Sequence, residues 1–166
     1  MFKVLNFFVL LFLAGCATGD IYVDTDKVEG LGAMVSFPEG KIAPIKVKNI
    51  ISGNLIELTN KEKVSYIGVY IPQIYDIPKK SKALNEMVIT NNEIRLEFDK
   101  KQRDANGRLL CYVFTSKGEL INEKIIAEGL GKVLAAPPNT KYNDRLLTAE
   151  EAARKAKKGL WSEEFN

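Results

Sequence analysis

The 166-residue chain contains no histidine, and no other feature of its composition removes more chemistry. Without imidazole there is no Ser-His-Asp or Cys-His nucleophile, and no zinc site that needs a histidine ligand. Two cysteines, Cys16 and Cys111, cannot build a disulfide framework. No apolar run approaches the roughly 20 residues of a membrane-crossing helix. Charge of neither sign dominates: 24 Lys and Arg against 21 Asp and Glu leave +3, too little by itself to point to nucleic acid. Any hydrolysis would have to run on carboxylates, arginines and a hard cation. What remains is ordinary for a globular protein, 46% hydrophobic and 27% charged, enough for one core and a chain the size of one domain plus an appendage.

The appendage is N-terminal. Lys3 precedes an apolar run over residues 4–14, which is short for a span and suits the core of an export signal. Leu13-Ala14-Gly15-Cys16 resembles the bacterial lipobox. That resemblance implies a signal peptide over 1–15, cut before Cys16, and a lipid on the Cys16 thiol. The alternative is an ordinary secretory signal with an incidental cysteine. On the lipobox reading the protein is exported and lipid-anchored to a bacterial membrane, facing away from the cytoplasm. Residues 16–40 then form a tether and arm, and residues 41–166 the folded domain. Cys111 is left as a lone thiol, expected to serve as a small apolar core residue.

After Gly40 the pattern becomes regular. Three apolar-rich runs, separated by Ser52-Gly53-Asn54 and by Asn60-Lys61-Glu62-Lys63, predict a three-stranded meander. Leu84, Met87 and Val88 fall at helical spacing, with Asn91 and Asn92 as a stop. Ile94, Leu96 and Phe98 alternate with Glu93, Arg95 and Glu97 as a strand, and a fifth strand follows Gly107-Arg108. A second helix with Asn122 as its cap would turn Ile125, Ile126, Leu130 and Val133 inward. A third, with Ala149, Ala153, Ala156 and Leu160 on one stripe, would stop at Gly159, with Trp161 as its packing anchor. Five short strands and three helices predict an α+β fold, an OB-fold-like five-stranded β-barrel with helices packed at one side.

Four segments in order, "IISGNLIEL", "VSYIGVYIPQ", "FDKKQRDANGRLLCYVF" with "GELINEKIIAEGLGKV", and "AEEAARKAKKGLW", resemble the staphylococcal nuclease (thermonuclease) family over nearly the whole domain. The resemblance implies Ca²⁺-dependent phosphodiester hydrolysis: two aspartates on the ion, a glutamate as general base and two arginines on the phosphate. This chain departs from that set. The positions of the calcium aspartates hold Asn54 and Tyr70. The first arginine is Ser65, the general base is Gln73, and two motif threonines are Leu55 and Ile71. Only the second arginine survives, as Arg108.

The expectation is a membrane-tethered, nuclease-like module without cleavage activity. The alternative is an extracytoplasmic nuclease with non-standard catalytic residues, in which Asp76, Glu57 or Glu62 would substitute. No cofactor is expected, because the Ca²⁺ ligands are largely missing, and Tyr70 and Ile71 are expected to put apolar bulk where the ion would sit. Arg108 is read as structural, paired with Asp99 or Asp104. The lysine and arginine clusters at 79–82, 100–103 and 154–158 are read as solvated faces, interrupted by acids. The expected partner is the membrane, through Cys16. A nucleic acid, which would stack on Tyr66, Tyr70, Tyr75 or Tyr112, or a protein or glycan, are the other candidates.

Overall fold

The computed structural model describes residues 44–163. The expected export signal over 1–15, Cys16 and the expected tether and arm over 16–40 lie outside them. β1 (Ile45–Ser52), β2 (Leu55–Leu58) and β3 (Lys63–Tyr66) form the expected antiparallel meander. The β2–β3 turn is made by Asn60, whose Oδ1 accepts the Glu62 N–H, and by Lys61 at φ +70°. β5 (Glu93–Arg103) and β6 (Leu109–Thr115) pair antiparallel; β6 then pairs parallel with β3, and β5 returns to β1. The result is a closed barrel in the order β1-β2-β3-β6-β5, the five-stranded OB-like fold that the strand pattern predicts. Ile56, Val64, Ile94, Cys111 and Val113 fill its interior with essentially no exposure. Burial pushes the Cys111 thiol up to about 12, so it is an unionised core group as expected.

Three helices pack outside: α1 (Ile77–Val88), α2 (Ile121–Ala127) and α3 (Asn143–Lys155). Their ends differ from expectation in instructive ways. α1 starts earlier, with proline in its first turn, and Met87 is exposed rather than inward. α2 has Leu120 at its cap, so Asn122 caps nothing. Asn122 lies inside the first turn, wholly buried, and its side chain faces the barrel. α2 also stops before Val133, which belongs to a strand, β7 (Lys132–Val133), paired with β4 (Val69–Tyr70). Two-residue strands leave no periodic signal to read.

α3 ends at Lys155, with Ala156 exposed beyond it. Gly159 serves a different purpose from the expected stop. A Cβ there would lie 2.4 Å from the Gly129 carbonyl oxygen, so the glycine permits a close crossing at which Leu160 N–H donates to Gly129 (2.9 Å). Trp161 then packs on the core, with the Arg154 guanidinium 3.9 Å from its ring centroid.

One more contact positions the site. α1 presses on the β1–β2 turn so closely that a Cβ on Gly53 would meet the Ser81 Oγ at 2.3 Å. Asn85, fully buried on the same helix, donates its amide to the carbonyls of Ser52 (3.1 Å) and Gly53 (2.9 Å), and accepts from the Tyr66 hydroxyl (3.3 Å). The turn is therefore fixed from below by a satisfied polar network.

Candidate functional site

The turn carries Asn54, the first of the substituted positions. Its Oδ1 accepts the Ser52 hydroxyl (3.0 Å), and its Nδ2 donates to the Val69 carbonyl (2.9 Å). The side-chain amide is thus a strut between the β1–β2 turn and β4. Ser65 lies on β3 in register with Leu55 on one side and Leu110 on the other. In-register neighbours share a face, so Ser65 sits between two leucines on the outside of the barrel. Tyr70 points away from the buried Val69 and is 48% exposed, opposite Lys132. Ile71 corrects an expectation: it is 4% exposed and packed within the core, so it brings no bulk to the cleft. Gln73 is exposed, and its Nε2 donates to the Ile71 carbonyl (3.0 Å).

Arg108 leads into β6, one residue before the Leu109–Val64 pair. Its Nε donates to Asp104 Oδ2 (2.6 Å) and its main-chain N–H to Asp104 Oδ1 (3.0 Å). Asp104 also accepts the Asn106 N–H (2.8 Å), so the pair closes the β5–β6 turn. Of the two partners expected for Arg108, Asp104 is the one found. Asp99 instead accepts the Lys141 and Lys100 N–H groups and the Tyr112 hydroxyl.

The substitute carboxylates are engaged elsewhere. Glu57 is bonded to Asn49 (2.7 Å) and Lys48 (3.5 Å), and the Asn49 bond holds its carboxyl below the usual range. Glu62 forms a two-pronged pair with Arg103 (2.9 and 3.0 Å), which also lowers it. A general base working near neutrality needs the opposite shift. Asp76 lies at the start of α1, exposed and paired with Lys80 (2.9 Å). Several members of the basic clusters are similarly occupied: Lys82 with Glu86, Arg154 with Glu150, Lys155 with Glu151, Lys158 with Glu128. Tyr66 and Tyr112 are core residues, leaving Tyr70 and Tyr75 exposed.

The donor set does not fit the calcium ion that the resemblance implies. None of Asn54, Ser65, Tyr70 and Gln73 is a carboxylate, and two of them turn N–H donors toward carbonyl oxygens. Among the described residues, no three carboxylate or thiol side chains gather into a group that could hold a metal. Sequence reasoning missed Asn85 and Ser52, which fix the turn. A mid-helix asparagine and a turn serine give no local signal of that role.

The β5–β6 end of the barrel should weaken in acid. Partial burial pushes the Asp104 carboxyl up, but the bonds from the Arg108 side chain and from the Arg108 and Asn106 main chain hold it below its ordinary value. Asp99 is likewise raised by burial and lowered further by its N–H donors. A depressed carboxylate stabilises the fold above its unfolded pKa and loses that contribution as pH falls toward the folded one. The urea midpoint is therefore expected to drop as pH falls below about 4, and Asp104→Asn to flatten that slope. Identical pH profiles for the two proteins would rule the clamp out.

Residues 61–163 match the family described as Staphylococcal nuclease homologue. The chain is 34% identical over 127 residues to the thermonuclease of Staphylococcus hyicus, covering 70% of this chain and 75% of that protein. It is 31% identical over 125 residues to the thermonuclease of Staphylococcus intermedius (69% and 74%), and 30% identical over 134 residues to endonuclease YncB of Bacillus subtilis strain 168 (74% and 63%). With this barrel, these helices and this extent of similarity, the chain belongs to the staphylococcal nuclease family.

Proposed function

We infer that this protein is a membrane-tethered thermonuclease-like lipoprotein whose domain has lost phosphodiester cleavage and acts as a binding or structural module. The observation that carries the reading is the state of the substituted positions: Asn54 and Gln73 spend their amides on main-chain carbonyls, and Arg108, the one retained group, is bound to Asp104. A general base must accept a proton, which the Gln73 amide cannot take. The tether reading rests on the resemblance of residues 13–16 to a lipobox.

The rival reading, a working nuclease with rearranged residues, draws on the relatives' names and on the retained Arg108. The two separate cleanly. If the module reading holds, Arg108→Ala and Asp76→Ala leave DNA turnover at the wild-type background; a loss of measurable cleavage in either variant favours the rival. For the tether, Cys16→Ala is expected to move the protein from the membrane pellet to the soluble fraction. A variant still pelleting like wild type would remove the lipid anchor from the account.

A further inference from the structure

Two of the three positions where the family resemblance places carboxylates, Asn54 and Gln73, do the same thing; the third, Tyr70, is an exposed phenol. Each turns an amide N–H toward a carbonyl of one short segment: Asn54 toward Val69 (2.9 Å) and Gln73 toward Ile71 (3.0 Å). A carbonyl oxygen carries partial negative charge, and two partners suit it, an N–H donor or a hard cation. An amide supplies the first; a carboxylate can supply neither. It would set one oxygen against another unless a cation lay between them.

We propose that the Asn54 amide, with a lesser contribution from Gln73, takes the place of a divalent ion, so that the β1–β2 turn is tied to Val69 by its own hydrogen bond and rejects Ca²⁺. Acid-to-amide exchange then acts as a specificity switch, converting a cation site into a self-satisfied one. Asn54 is the stronger of the two ties. It is half-buried, it bridges elements 15 residues apart, and its Oδ1 is committed to the Ser52 hydroxyl, leaving little oxygen for an ion. Gln73 is exposed and bonds two residues back, so it contributes less. The inference rests on the module reading for its setting, but it concerns ion binding and stability rather than cleavage.

The test is thermal unfolding of the full-length protein in detergent, in excess EDTA and in millimolar Ca²⁺, for wild type, Asn54→Asp, Asn54→Asp with Gln73→Glu, and Asn54→Ala. Wild type is expected to melt at the same temperature in both conditions. Asn54→Asp is expected to melt about 5–10 °C lower in EDTA, through loss of the strut and oxygen–oxygen repulsion. Ca²⁺ should return much of that loss, and more in the double variant, whereas Asn54→Ala, lacking both strut and carboxylate, should be lowered and unresponsive. A wild type stabilised by Ca²⁺ overturns the proposal. So does an Asn54→Asp protein as stable as wild type in EDTA, or one that Ca²⁺ does not rescue. A catalytically silent wild type that binds Ca²⁺ would sink this inference alone, and a Ca²⁺-insensitive wild type that cleaves DNA would sink only the module reading.

Discussion

A variant carrying Asn54→Asp, Ser65→Arg, Tyr70→Asp and Gln73→Glu is expected to cleave DNA in Ca²⁺ at least about 10²-fold faster than the wild type. The fold already supplies the frame. Asn54 sits on a turn fixed by Asn85, Ser65 lies on a regular barrel strand, and Tyr70 belongs to a strand tied to that turn. A general base is worth about 10² to 10⁴ in rate, and a single transition-state donor about 10² to 10³. The contributions do not add, so the smaller figure is the one to expect. The new arginine at 65 would lie between Leu55 and Leu110, whose apolar surfaces can support its stem. Initial rates on linear DNA, with Ca²⁺ and with EDTA, decide the matter. A folded quadruple variant no faster than wild type would mean that something other than these four positions limits the chemistry.

Asn122→Leu is expected to destabilise the domain by about 2–6 kcal/mol, lowering the melting temperature by about 6 °C or more. Asn122 is wholly buried. Its Oδ1 accepts the N–H of Val113 in β6 (2.9 Å), and its Nδ2 donates to the carbonyl of Ile67 after β3 (2.8 Å). One side chain therefore pins α2 to the two parallel strands of the barrel. Leucine, nearly the same size, leaves both main-chain groups buried without partners, at about 1–3 kcal/mol each. Chemical denaturation separates this role from a helix cap, which is worth about 1 kcal/mol. A loss of 1 kcal/mol or less would show that water or rearrangement satisfies the two groups.

That asparagine also marks where the sequence stopped being informative. Just before an apolar run, "ELINEK" reads as helix-start chemistry, and nothing local says that the amide spans two barrel strands. The barrel itself was legible because Ile94, Leu96 and Phe98 alternate with charged residues, and because glycine- and asparagine-bearing turns separate the meander. β4 and β7 were not, since two residues carry no period and their pairing is purely tertiary. The substituted site positions are visible in the segments "IISGNLIEL" and "VSYIGVYIPQ", where Gly68 and Pro72 hold the frame of the resemblance. Their present work is not: an asparagine where an aspartate is expected announces a missing charge, not a new bond to Val69. Arg108 fell between these cases, because an acid four residues before it made the Asp104 pair a natural expectation. Gly159 misled in the other direction. A glycine after a helix suggests a stop, whereas here it is the only residue type that lets the chain cross Gly129.

The most direct test of the central claim is the rate at which the wild-type protein cleaves DNA in saturating Ca²⁺, measured beside the Staphylococcus hyicus thermonuclease under identical conditions. On the module reading, a chain without the general base, two ion ligands and one phosphate donor that the resemblance implies is expected to cleave on the order of 10⁴-fold more slowly, at a rate unchanged by EDTA. A Ca²⁺-dependent rate within tenfold of that relative would contradict it.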